Sequence, residues 1–360
     1  MNAILFSFLY LRDFAERKHL FWIDKLQIAL LYSCFAEIRD ENKRRSSNRT
    51  MMKQNPFHLF AKYFTVTVLV FSRHSPFLFR SSFYCSALTT NTNTMASTTT
   101  TYLITGASSG IGLEFVKQLA GRTSAGATHV IATCRKKTSS ATGSDEISSL
   151  KAAEGNAITI VEGIDVCSDD CKDKLLEKIP ESCKTIDVVV HNAGGMGSKS
   201  RDVQSFENVT PDLILNNVNL NAVGPLRIQQ ALHSKGYMGK DNGGGKVVLI
   251  TSGLGSIGDN TSGGMYAYRG SKALANMVFK GLSCDLKPMG ISVVAMAPGF
   301  VQTEFGGFGK DNMAKMGAIP VETSVGQMIR GIDDLSLETT GRYMCVDKNG
   351  SAPKEFAAGW

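Results

Sequence analysis

The sequence predicts an α/β fold, a single doubly wound parallel sheet with helices on both faces. Two observations lead there. Short apolar, β-branched runs recur from Thr101 onward: "TYLIT" 101–105, "HVIAT" 129–133, "AITIV" 157–161, "DVVVH" 187–191, "KVVLIT" 246–251 and "ISVVAM" 291–296. Longer amphipathic stretches fall between them, around 110–120, 170–178, 210–233 and 265–287. A strand whose apolarity is continuous rather than alternating is buried on both faces, as parallel strands beneath crossover helices are. Strand and helix repeated in this way build that sheet.

The chain has 360 residues and a formal net charge of +7, unevenly placed. Residues 1–94 hold 13 Lys/Arg against 6 Asp/Glu, while residues 95–360 hold 26 of each. The basicity belongs to the N-terminal segment, so the α/β body carries no mark of nucleic-acid binding. From Asn42 to Leu113 there is no acidic residue, and Ser, Thr, Phe and basic residues dominate until the polar tract "TTNTNTMASTTTT". That composition resembles an organelle transit peptide. The domain reading is therefore an N-terminal extension, 1–94, and an α/β domain, 95–360.

Three readings of the extension stay open: a cleaved presequence, an upstream stretch absent from a product that starts at Met95, or a small helical appendage. A start at Met95 implies the cytoplasm, and a working presequence implies a mitochondrion or plastid. The eight cysteines form no CxxC pair and no zinc-ligand spacing with histidines. Free thiols and no metal are expected. No apolar run approaches the ~20 residues that span a bilayer.

The first strand leads into "TGASSGIG", Thr105 to Gly112. Gly106 allows a tight turn, Gly110 lets backbone approach a pyrophosphate, and Gly112 lets helix and strand pack closely. The helix that follows presents free N–H groups and a positive dipole end to the anion. This places a dinucleotide site in a sheet of Rossmann type. The second strand ends in "TCRKK" rather than in an acidic residue. Arg135, with Lys136 and Lys137 behind it, suits a ribose 2′-phosphate, hence NADP over NAD. A solvated basic turn is the plainer alternative. Asp165, after the third strand, either reaches the adenine edge or caps the next turn.

Five ordered motifs now stand in the chain: "TGASSGIG" (105–112), "NAG" (192–194), Asn221, Ser252 with "YRGSK" (268–272), and "PG" (298–299). Together they resemble the short-chain dehydrogenase/reductase family over residues 101–345. "ATCRK", "NAVGPLRIQQAL" and "YMCVDKNG" are most similar to its sniffer and C-factor type of carbonyl reductase. The resemblance implies cofactor contacts from Ser108, Ser109, Ile111, Val166, Asn192, Ala193, Gly194, Pro298, Gly299, Val301 and Thr303. One departure is His191, where the family often has a second Asn. A structural role is expected of it.

Hydride transfer to a carbonyl needs a proton donor. A free Tyr, with pKa near ~10, is a poor one near neutrality. A Lys at i+4 on a helix lies one turn away and favours the phenolate. Tyr268 has Lys272 at that spacing, whereas Tyr266 has Gly270. Tyr266 points to another face and is expected to be a packing or pocket residue. By resemblance, Lys272 also holds the nicotinamide ribose, and Ser252, three before Gly255, polarises the substrate oxygen. Asn221, three before Gly224, is the implied relay residue, with Asn219 as the alternative.

Segment 302–320, rich in Gly and Met, reads as a mobile lid over an apolar or aromatic carbonyl. The implied function is an NADP-dependent oxidoreductase acting on a small-molecule carbonyl or secondary alcohol. The alternative is a cofactor-binding sensor of the C-factor type with little turnover. Homodimers or homotetramers through 210–233 and 265–287 are a further implication of the resemblance.

Overall fold

The computed structural model describes residues 99–360, apart from 124–125, 136–144, 184, 199, 239–244, 308 and 348–350. The expectations for residues 1–94, and for Lys136 and Lys137, lie outside the described residues. In chain order the elements are β1 (Thr100–Ile104), α1 (Gly110–Ala120), β2 (Thr128–Cys134), α2 (Asp145–Ser148), β3 (Ala157–Glu162), α3 (Cys171–Lys178) and β4 (Val188–His191). There follow α4 (Pro211–Val218), α5 (Gly224–Ser234), β5 (Lys246–Ile250), α6 (Tyr266–Leu286), β6 (Ser292–Ala297), α7 (Lys310–Lys315), α8 (Val321–Asp333), β7 (Arg342–Cys345) and β8 (Lys354–Glu355).

The strands form one sheet in the order β3-β2-β1-β4-β5-β6-β7-β8. All pairings are parallel except β7 with β8. The chain starts in the middle and winds outward both ways, so the order reverses between β1 and β4. A crevice opens at such a switch point, at the carboxyl ends of the strands.

Burial explains the continuous apolar runs. Ile104, Val190, Val248 and Met296 pack on one side with Leu113, Phe115 and Met328. Their neighbours Leu103, Val189, Val247, Leu249 and Ala295 pack on the other with Leu175, Ile228 and Phe279. Successive strand residues point to opposite faces, so each strand feeds two cores.

The six expected strands are present. The single helix expected over 210–233 is broken. Asn219–Val223 forms a π-helical segment between α4 and α5. Pro225 has no N–H to donate to the Asn221 carbonyl, and its ring crowds that position, so the ladder widens just before it. β7, β8, α7 and α8 were not expected. β8 also departs from an all-parallel sheet, as an antiparallel edge. Among the described residues no helix is long and apolar enough to cross a membrane.

Candidate active site

The glycine turn is built by contact. Gly106 takes φ +67°, and a Cβ there would lie 2.8 Å from the Cα of Ala193. Ala107 N donates to the Thr133 carbonyl of β2 at 2.9 Å. Asn192 Nδ2 donates to the carbonyls of Thr105 and Gly106, at 3.0 Å each. The Thr105 hydroxyl accepts from the main-chain N–H of Asn192 and of Ala193, at 3.1 Å each. A Cβ on Gly112 would come within 2.3 Å of the Gly106 carbonyl oxygen and 2.4 Å of Asn192 Nδ2.

Gly110 is different. It takes φ +55°, but a Cβ there would meet nothing nearer than Thr303 Cγ2, at 3.8 Å. The backbone conformation, not crowding by the protein, calls for glycine, and the open side remains for a ligand. Ser109 gives no side-chain cap to α1. The first N–H groups of that helix are thus suited to an anion. These observations fit a dinucleotide pyrophosphate.

Ser252 follows β5 in extended backbone, and its Oγ accepts from Leu254 N at 3.2 Å. Tyr268 sits in the first turn of α6, and Lys272 one turn on, each 5% exposed or less. Lys272 Nζ lies 5.9 Å from the Tyr268 ring centroid and donates to the Ile250 carbonyl at 2.9 Å.

Burial pushes Tyr268 up to about 12, with the Ser252 hydrogen bond opposing it. Burial pulls Lys272 down to about 8. The net direction for Tyr268 is therefore upward in the protein alone. In the protein alone, desolvation of the phenolate outweighs any help from an ammonium engaged with a carbonyl.

Asn221 lies in the π segment, where such distortions often mark functional sites. Its Oδ1 accepts from Gly195 N at 2.9 Å, and its Nδ2 donates to the Gly195 carbonyl at 2.8 Å and to Ser271 Oγ at 3.0 Å. A Cβ on Gly194 would sit 2.8 Å from Asn221 Oδ1 and 3.3 Å from Lys272 Nζ, so Gly194 separates the two. Asn219 instead donates to the Cys167 carbonyl at 3.0 Å, and Asn217 to the Leu213 carbonyl at 2.9 Å. Only Asn221 of the three is directed to the Lys272 side.

The remaining expected residues divide. Pro298 and Gly299 follow β6. The Pro298 carbonyl accepts from Ser324 Oγ at 2.7 Å, and Gly299 takes φ +81°. Val301 is buried and bridges Ile319. Thr303 lies beside Gly110. Ser108 is half-buried, Ser109 exposed and Ile111 half-buried at the turn.

Arg135 is exposed just beyond β2, above buried Cys134. Asp165 Oδ1 accepts from Cys167 N at 3.0 Å, so it caps its own turn. Val166 is buried against Gly224, with its carbonyl accepting from Arg227 Nη1 at 2.7 Å. His191 Nε2 meets Gln229 Oε1 at 3.0 Å, its ring packs edge-on to Phe279, and burial pulls it down to about 4. A neutral histidine inside the core fits the structural role expected of it. Tyr266 is 45% exposed, and its ring is tilted against that of exposed Phe206.

Four contributors escaped the sequence reading. Thr105 ties the turn to Asn192. Phe305, from the 302–320 segment, places its ring 5.7 Å from that of Tyr268. Gln204, fully buried, accepts from Tyr268 N at 2.9 Å and donates to the Met196 carbonyl at 3.0 Å. Asn276 Oδ1 accepts from Thr251 Oγ1 at 2.5 Å, next to Ser252. Thr105 stood inside a quoted motif. Gln204 and Asn276 had no local signal, because their partners are distant in sequence.

The family described as short chain dehydrogenase matches residues 100–313. The chain belongs to that family. It is 36% identical over 247 residues to 1-hydroxy-2-glutathionyl-2-methyl-3-butene dehydrogenase of Rhodococcus sp. strain AD45, covering 69% of this chain and 96% of the relative. It is 37% identical over 160 residues to the C-signal protein of Myxococcus xanthus, covering 44% of this chain and 87% of that protein.

Among solved structures, NADPH-bound carbonyl reductase from chicken fatty liver superposes with a TM-score of 0.60 at 27% identity. The match covers 70% of this chain and 97% of that one. The carbonyl reductase Sniffer of D. melanogaster gives 0.57 at 28% identity, covering 72% and 100%. The short-chain dehydrogenase thus keeps the Rossmann-type sheet and the oxidoreductase class that its motifs imply.

Proposed function

We propose that this short-chain dehydrogenase is an NADP-dependent reductase of apolar or aromatic carbonyls, and in reverse a dehydrogenase of the matching secondary alcohols. The observation that carries the reading is the buried pair Tyr268 and Lys272 beside half-buried Ser252, at the crevice entered by the glycine turn. A sensor without turnover has no use for a buried phenol with a lysine one helix turn on and a serine at the neighbouring strand end.

A dinucleotide held in this crevice would supply the hydride for the carbonyl carbon. The N–H groups at the start of α1, beside Gly110 and Thr303, would hold its pyrophosphate, and Arg135 would receive the 2′-phosphate. Ser252 donates to the substrate oxygen, and Tyr268 gives it the proton. A phenol held at about 12 is protonated at neutral pH, so Tyr268 carries the proton that carbonyl reduction consumes. Lys272 carries its charge below about pH 8 and orients the cofactor ribose. Asn221 continues the route by which the proton is replaced. Phe305 borders the substrate and selects apolar groups. We assign self-association, as a homodimer or homotetramer, to α4 and α6, where Leu215, Leu274 and Met277 are exposed.

The test compares initial rates with NADPH and NADH, for the unaltered protein and for Arg135→Asp. Preference for NADPH, weakened or reversed by the substitution, supports the reading. Equal rates with both cofactors in both proteins contradict it.

A further inference from the structure

We propose that Tyr343 and the segment 352–360 form a clamp that positions Ser252; the inference rests on the reductase reading above. Tyr343, on β7, donates its hydroxyl to the Ser252 main-chain carbonyl at 2.6 Å. Its ring stacks on Phe356, with centroids 4.8 Å apart and planes 20° apart, and lies 5.3 Å from the ring of Trp360. Lys280 of α6 sits 5.6 Å over the Trp360 ring, which fastens that residue to the catalytic helix.

The same segment grips the rest of the serine loop. Ser256 Oγ donates to the Gly359 carbonyl at 2.8 Å, and Ile257 N to the Trp360 carbonyl at 3.3 Å. The Phe356 ring covers Gly253, where a Cβ would lie 3.5 Å away. A Cβ on Gly258 would meet the Ala358 carbonyl oxygen at 2.7 Å. Contacts therefore reach both ends of the loop from 252 to 258.

A hydroxyl that must meet a substrate oxygen tolerates little displacement, since an ångström can cost much of the rate. On its other side Ser252 is held through Thr251 and Asn276. The carbonyl bond to Tyr343 closes the remaining side. Tyr343 does not touch the reacting atoms, so it is a positioning residue. Its loss should lower kcat while the pyrophosphate turn, far along the sheet, keeps its affinity.

Tyr343→Phe keeps the stacked ring and removes only the donor. The expected result is a fall in kcat of about five- to tenfold, the worth of one hydrogen bond, with NADPH Kd unchanged. Trp360→Ala should lower kcat in the same way, and Trp360→Phe should restore it. Hydrogen exchange at residues 253–260, read by mass spectrometry, should quicken about tenfold in Tyr343→Phe as the loop opens locally. If both kcat and exchange stay at the unaltered level in Tyr343→Phe and Trp360→Ala, the clamp is overturned. If NADPH binding falls together with kcat, the effect is general unfolding, and the clamp is overturned as well. If the unaltered protein reduces no carbonyl, the reductase reading fails, and the exchange result alone decides for or against the clamp.

Discussion

The two halves of the crevice are made in opposite ways. At the glycine turn, neighbours in the first and fourth strand ends close on backbone: Gly106 and Gly112, against Ala193, the Gly106 carbonyl and the Asn192 amide, have no room for even a methyl group. At the catalytic corner, side chains reach long distances: Gln204, Asn276, Tyr343 and Phe305 come from elements far apart in sequence. A pyrophosphate is constant, so its cradle is fixed in main chain. A substrate differs between relatives, and its corner is assembled from exchangeable side chains.

The sharpest way to break this contrast is Gly112→Ala. Its methyl would press on the Gly106 carbonyl and the Asn192 amide, and overpacking there should cost about 3 kcal/mol, read as a lower denaturant midpoint. Gly110→Ala sharpens the contrast. Only the positive φ is strained, so stability should fall by about 1 kcal/mol while NADPH affinity falls more, because the methyl enters the ligand's side. Equal losses of stability in both variants would erase the distinction.

A middle-sized effect is expected from pH. Lys272, held at about 8, loses its charge as pH rises through that value. Its ordinary value is ~10.5, so the unfolded chain still binds the proton between about pH 8 and 10.5. Stability therefore rises with pH across that window, while carbonyl reduction declines above about pH 8. A reduction rate that holds level from pH 7 to 10 contradicts the role given to Lys272.

The smallest effect is at the edge of the corner. Phe305→Ala should raise KM for aromatic carbonyls about threefold, a fraction of a buried ring's contribution, and leave the denaturant midpoint nearly unmoved. Phe305 is 42% exposed, so little core is lost.

The same contrast explains what the sequence made legible. The five inner strands β1, β2, β4, β5 and β6 announce themselves because burial on both faces demands unbroken apolar runs; β3, at the edge, keeps such a run although it is only partly buried. The turn is legible because its glycines answer to backbone geometry within eight residues. Tyr268 and Lys272 are legible because one helix turn joins them. β7 is not: four residues starting with an exposed Arg342 become a strand only beside β6. β8, with two exposed residues, exists only as a partner for β7. The break before Gly224 was hidden in a sequence of good helical periodicity until Pro225 was set against the Asn221 carbonyl. The net direction of the Tyr268 pKa was not legible for a related reason, since spacing tells which charges are near but not how dry they are.

The most direct measurement is NADPH oxidation with a panel of apolar and aromatic carbonyls, comparing residues 95–360 with and without Tyr268→Phe, alongside NADPH binding. Turnover should fall at least about a thousandfold in the variant, the scale of losing a general acid, while NADPH still binds. Turnover that survives in Tyr268→Phe at the unaltered rate would contradict the assignment of the proton to Tyr268.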